Sequence, residues 1–185
     1  MSSHSRHSRK ATQAVQLAFA AALLAGSSAY AADAAHTFEL TAFSNTVAGA
    51  SLVKGDYNLA VQQLSIDAHS LASDSVNTNR CVAFAVTRDL QKAHDACDAA
   101  VRDAQRRLVS LSATELWARS QYRDYLALAY SNRAVVAWMS NDTAGAQADL
   151  KKAAAVAPKA DFVARNMSAL QSHNAVAQVS VVPKS

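Results

Sequence analysis

Cys81, Cys97 and the histidine near the second of them, His94, are the residues of this chain best equipped for chemistry. On a helix, His94 and Cys97 fall three apart on one face, and with Cys81 they would offer one nitrogen and two sulfurs to a metal ion. A tetrahedral site needs a fourth ligand, and the sequence supplies neither that ligand nor a Cys-x-x-Cys pair. The even pair reads first as a disulfide if the chain reaches an oxidising compartment, with two buried thiols or a metal or redox role as alternatives. His36, His69 and His173 are scattered. No Gly-x-Ser-x-Gly, His-Glu-x-x-His, phosphate loop or Cys-x-x-Cys-His occurs, so no catalytic residue, metal site or cofactor is assigned.

Export is the expectation that makes the disulfide reasonable. Arg6, Arg9 and Lys10 form a positive stretch, residues 14–25 are apolar apart from Gln16, and Ala29-Tyr30-Ala31 has the small-x-small form of a cleavage site. Residues 1–31 therefore read as a signal peptide cleaved after Ala31, for a periplasmic destination. An apolar run of about 12 residues falls short of the roughly 20 that span a bilayer, and no cysteine stands beside the cleavage site for lipid attachment. No stable membrane insertion is expected after cleavage.

Cleavage also changes the charge. The leader holds three of the 18 Lys and Arg and none of the 14 Asp and Glu, so 15 cations face 14 anions in the remainder, a net charge of about +1. The near-neutral mature chain of 154 residues suits one domain and offers no electrostatic case for nucleic acid.

The elements that would position these residues repeat a short register. Thr46, Ala48, Gly55-Asp56, Ala60 and Leu64 are followed by Asn79-Arg80-Cys81, Asp89, Ala93, Cys97 and Ala100, then by Asn132-Arg133-Ala134, Asp142, Ala146, Leu150, Ala153 and Pro158. A small residue, a turn with Asp, then Ala and a larger residue at helical spacing is what two closely packed antiparallel helices need. Cys81 stands where the other copies have Ala48 and Ala134, and Cys97 where they have Leu64 and Leu150, which places the thiols on facing helices. With few Gly and no Pro between Ala32 and Pro158, the class expected is all-α. Helices are expected over 42–54, 57–72, 76–87, 90–108, 113–140, 143–156 and 161–171. Each turn Asp is placed to cap the next helix, and Ser112-Ala113-Thr114-Glu115 has the form of a capping box. About 20 extra residues separate the second copy from the third, because Asp56 and Asp89 are 33 apart but Asp89 and Asp142 are 53 apart. Residues 32–41 are expected to be a flexible lead-in. Residues 172–185 are expected to be a disordered tail, a docked extension being the alternative, since 176–182 is β-prone.

These residues resemble the tetratricopeptide repeat in its Asn-Arg-Gly subtype, most closely from Asn132 to Pro158, with Ala134 in place of the subtype's Gly. The likeness extends over 42–171 and, with the leader, is of the small exported bacterial kind. It implies a short right-handed superhelix of about three helix pairs with a capping helix at 161–171. It also implies a concave groove lined by Asn45, Leu52, Val82, Val86, Ser131, Val135, Trp138 and Met139. Neither Lys nor Arg is among them, so a clamp for a terminal carboxylate is disfavoured and a mainly apolar groove for a partner polypeptide is expected. The rival function is an enzyme or accessory of the cell envelope with an unrecognised active site. Trp117, Tyr122, Tyr125, Tyr130 and Trp138 gather on one long helix, read as covering neighbours rather than as an exposed strip.

Overall fold

A computed structural model describes residues 37–66, 74–112, 114–172 and 179–184. The expected signal peptide, the remainder of the expected 57–72 helix, and His36, His69 and His173 lie outside these residues. Seven helices are described: α1 (Gly49–Lys54), α2 (Tyr57–Ile66), α3 (Asp74–Val86), α4 (Leu90–Ser110), α5 (Leu116–Met139), α6 (Thr143–Val156) and α7 (Asp161–Gln171). Two strands, β1 (Phe38–Phe43) and β2 (Val179–Lys184), lie at either end of this series.

The repeated register folds into a repeated turn. Gly55, Arg88 and Asn141 all take the left-handed conformation, with φ of 85°, 65° and 62°. The Asp that follows each one donates its N–H to the carbonyl five residues back, at Ser51 (2.8 Å), Phe84 (2.9 Å) and Ala137 (2.8 Å). The carbonyls of Asp56, Asp89 and Asp142 then accept the N–H of Ala60, Ala93 and Ala146 to start the next helix. Those three alanines are fully buried, because a larger side chain would hold the paired helices apart. Asp89 Oδ1 caps α4 by accepting from the Lys92 N–H (3.3 Å), and Asp142 Oδ1 caps α6 through the Gly145 N–H (2.8 Å).

Helices α3 to α7 pack as successive neighbours, α3 on α4, α4 on α5, α5 on α6 and α6 on α7. Cys81 and Cys97 are joined between α3 and α4 with their Cα atoms 4.8 Å apart, which removes the metal and free-thiol alternatives. The bridge replaces the apolar pair that Ala134 and Leu150 supply between α5 and α6. Closing a loop of 16 residues contributes about 3 kcal/mol by restricting the unfolded chain.

Helix α5 begins at Leu116 rather than at 113. The Ser112 N–H does donate to Glu115 Oε2 (2.8 Å), one half of a capping box. Its hydroxyl donates to the same oxygen (2.8 Å) and so is not used to cap the helix. Both bonds favour the carboxylate and, led by the backbone one, lower the Glu115 pKa.

Strands occupy the described part of both terminal segments, residues 38–41 of the expected lead-in and residues 179–184 of the expected tail, where the docked alternative holds for those residues. β1 and β2 pair in parallel, Phe38 opposite Val179 through Phe43 opposite Lys184. Phe38, Leu40 and Ala42 alternate with Glu39 and Thr41, the period of a strand, and all five are buried or half-buried. The helical class stands, with this one small sheet added to it. The main core gathers Phe38, Leu40 and Ala42 with Leu52, Val82 and Val135, so residues 38–41 of the expected lead-in belong to the interior.

Candidate functional site

β1 crosses the face made by α3, α5 and α7, and each of those helices offers it one asparagine. Asn166 Oδ1 accepts from the Glu39 N–H (2.7 Å) while its Nδ2 donates to the Glu39 carbonyl (2.9 Å). Asn132 does the same for Thr41, at 2.9 and 2.8 Å. Asn79 does it for Phe43, at 2.8 and 3.0 Å. In an extended strand the N–H and C=O of one residue point to the same edge and alternate edges along the chain. Glu39, Thr41 and Phe43 therefore turn one edge to the amides and leave Phe38, Leu40 and Ala42 to β2. A primary amide carries one donor arm and one acceptor arm, so each asparagine replaces the paired bonds a neighbouring strand would make.

This contact reads main chain and not sequence, and side chains supply the rest. Phe38 lies against Trp138 with ring centroids 4.5 Å apart, and Phe43 meets Tyr125 edge-on at 4.9 Å. Arg165 Nε bonds Glu39 Oε1 at 2.7 Å, while Glu39 Oε2 is buried without a donor among the described residues. Asn166 also donates to Ser131 Oγ (2.9 Å), and Asn79 to Thr46 Oγ1 (2.8 Å) and the Val47 carbonyl (3.0 Å), so the amides are held from behind as well as used in front.

The arginine beside the middle asparagine fixes the helices that present it. Arg133 Nε and Nη2 bond the two oxygens of Asp149 on α6 at 2.6 and 2.9 Å, and Nη1 bonds Asp98 on α4 at 2.8 Å. The Asp149 bonds, reinforced by Asp98 and opposed by burial, raise the Arg133 pKa above its usual value. One guanidinium thus ties α4, α5 and α6 together.

Comparison with protein-family models, curated proteins and solved structures finds no match. The site is defined by its own geometry. No group of three metal-ligating side chains occurs among the described residues, and none of the described helices is long and apolar enough to cross a membrane.

The residues expected to line a partner groove lie on or near this face. Leu52, Val82, Ser131 and Val135 are buried, and Leu52, Val82 and Val135 share the core with β1. Trp138, Val86 and Met139 are half-buried and pack against it, while Asn45 is exposed in the turn after β1. β1 packs against Leu52, Val82 and Val135, which were expected to face a partner. The aromatic cluster divides: Tyr130 is buried, Tyr125 serves Phe43, and Trp117 is 75% exposed. Of the polar residues expected in the groove, Ser131 is one residue short of Asn132 and bonds Asn166 rather than the strand, while Asn79 and Asn166 were not among those expected. A signal was available, because Asn166 follows Asn132 by 34 residues, one repeat length.

Proposed function

We propose that this protein is an exported protein-interaction scaffold of tetratricopeptide-like helix pairs, arranged as a short right-handed superhelix, whose concave face holds an extended polypeptide strand. The observation that supports this most is the set of three asparagines bonding both main-chain groups of Glu39, Thr41 and Phe43. Such contacts recognise any chain in β conformation, and apolar floor residues at alternate positions select among them. β1 then stands where a partner strand would lie, as a tethered occupant. The joined cysteines fit an oxidising compartment such as the periplasm.

The test is strand exchange. A protease site at exposed Asn45 allows the mature protein to be cut after β1, and a labelled peptide of residues 37–44 is offered to the cut form. The cut protein should keep its fragment until excess peptide replaces it, and a peptide N-methylated at Glu39, Thr41 and Phe43 should fail to compete because the donors to the amides are gone. Loss of the fragment on cutting with the fold intact, or equal competition by the methylated peptide, defeats the reading.

A further inference from the structure

A second concave feature lies outside the strand face. An open cleft of about 690 Å³ is bounded by α5, by the connection from α6 to α7, by α7 itself and by the end of β2. It shares Ser120, Asp124 and Lys184 with a recess of about 430 Å³ walled by Trp117 and Tyr125, so the two form one run. Four cations, Arg123, Lys159, Arg165 and Lys184, border the larger part against two carboxylates, Asp124 and Asp161. Arg165 is engaged with Glu39, whereas Arg123, Lys159 and Lys184 form no ion pair among the described residues. At the other end Trp117, which walls the smaller recess, is 75% exposed.

From this arrangement we infer that the cleft binds an acidic peptide, with Asp or Glu side chains against Arg123, Lys159 and Lys184 and an apolar anchor on Trp117. The mature chain is near neutral, so the excess positive charge here is local and not a property of the whole surface. The cations border a recess, which a lipid bilayer cannot enter. Two carboxylates interrupt the lining, which disfavours a continuous phosphate backbone. A third strand added to β2 is also disfavoured. Since Ala42 turns its main chain to β2 and stands opposite Pro183, Pro183 faces the outer edge, where it has no N–H to give. Side chains must therefore do the holding. This inference concerns a different site from the strand face, and its test leaves β1 in place.

A fluorescein-labelled nine-residue peptide with four Glu and one Trp is titrated into the uncut mature protein, beside its Glu-to-Gln counterpart and phosphatidylglycerol vesicles. The acidic peptide should bind and weaken several-fold as salt rises from about 50 to 300 mM, while the Gln peptide should bind at least about tenfold more weakly. Arg123→Ala with Lys184→Ala should cost about tenfold or more, Trp117→Ala about fivefold, and Arg102→Ala, exposed elsewhere on α4, nothing. Equal binding of both peptides, no loss in the Arg123→Ala, Lys184→Ala variant, or capture of vesicles without the peptide overturns the inference. These side chains reach solvent, so the variants should keep the parent's circular dichroism; if one does not, charge reversal at Arg123 (R123E) provides the same comparison.

Discussion

Asn132→Ala removes the middle amide of the strand face and tests the central argument directly. Asn132 is 1% exposed and Thr41 4% exposed, so water does not replace the two lost bonds without opening the structure. An orphaned buried donor and an orphaned buried acceptor each cost about 1–3 kcal/mol, which gives about 2–6 kcal/mol for the pair. Against a domain stability of about 5–15 kcal/mol, that is a large fraction. Urea denaturation followed by circular dichroism should show the loss as a lower midpoint, and the Thr41 amide should exchange with solvent faster than amides of α6. Asn132→Asp sharpens the test because it keeps the shape and the acceptor. As a carboxylate it sets an oxygen against the Thr41 carbonyl; once protonated it can donate there as the amide does. Its folded pKa should therefore be raised, and its stability relative to the parent should be best at acid pH and fall as pH rises through that pKa. The exposed bond of Ser65 to the Val61 carbonyl makes Ser65→Ala the control, expected to cost well under about 1 kcal/mol. Asn132→Ala within about 1 kcal/mol of the parent, or Asn132→Asp without pH dependence, would refute the reasoning.

Gly49→Ala should cost about 1–3 kcal/mol in the same denaturation assay, because its Cβ would fall 1.9 Å from the Phe43 carbonyl oxygen that Asn79 also binds. Arg88→Gly should stabilise by about 0.5–1 kcal/mol in a thermal melt, since it relieves a left-handed arginine in a turn where the first copy already has Gly55. Replacing both Cys81 and Cys97 by Ala should lower the melting temperature by roughly 6–12 °C, the loss of about 3 kcal/mol in a domain of this size. Glu115, bonded by Ser112, and Asp89, bonded by Lys92, have lowered pKa values, so what they contribute is present above the ordinary carboxyl range and lost as pH falls below it through the lowered folded pKa. The gap in melting temperature between parent and Glu115→Gln should accordingly narrow from pH 7 to pH 3.

The helices were legible because their signals are local. Asp142 begins α6, Pro158 follows its end, and the buried alanines at 60, 93 and 146 recur at one register, so every step can be read within a few turns of chain. The Cys81–Cys97 pairing was legible for the same reason, since the repeat itself aligns the two positions. The strand was not, although Phe38 to Phe43 alternates visibly. Its hydrogen-bond partners lie 36, 91 and 127 residues away, and a strand six residues long with no local turn has nothing nearby to pair with. Nor does an asparagine on a helix announce a main-chain contact, because its side chain is as often a cap or a solvated polar group.

The decisive feature was the recurrence of Asn at one position of three first helices. A repeat signature of small and apolar residues explains how helices pack on each other. It does not explain a polar residue kept buried at the same place in α3, α5 and α7, since each such amide needs partners that the helix pair cannot provide. Two unsatisfied arms per copy, spaced along one face, call for a backbone with the matching period. Only an extended chain presents a donor and an acceptor together on one edge at every second residue, and β1 is the segment of this chain that does so against Asn79, Asn132 and Asn166.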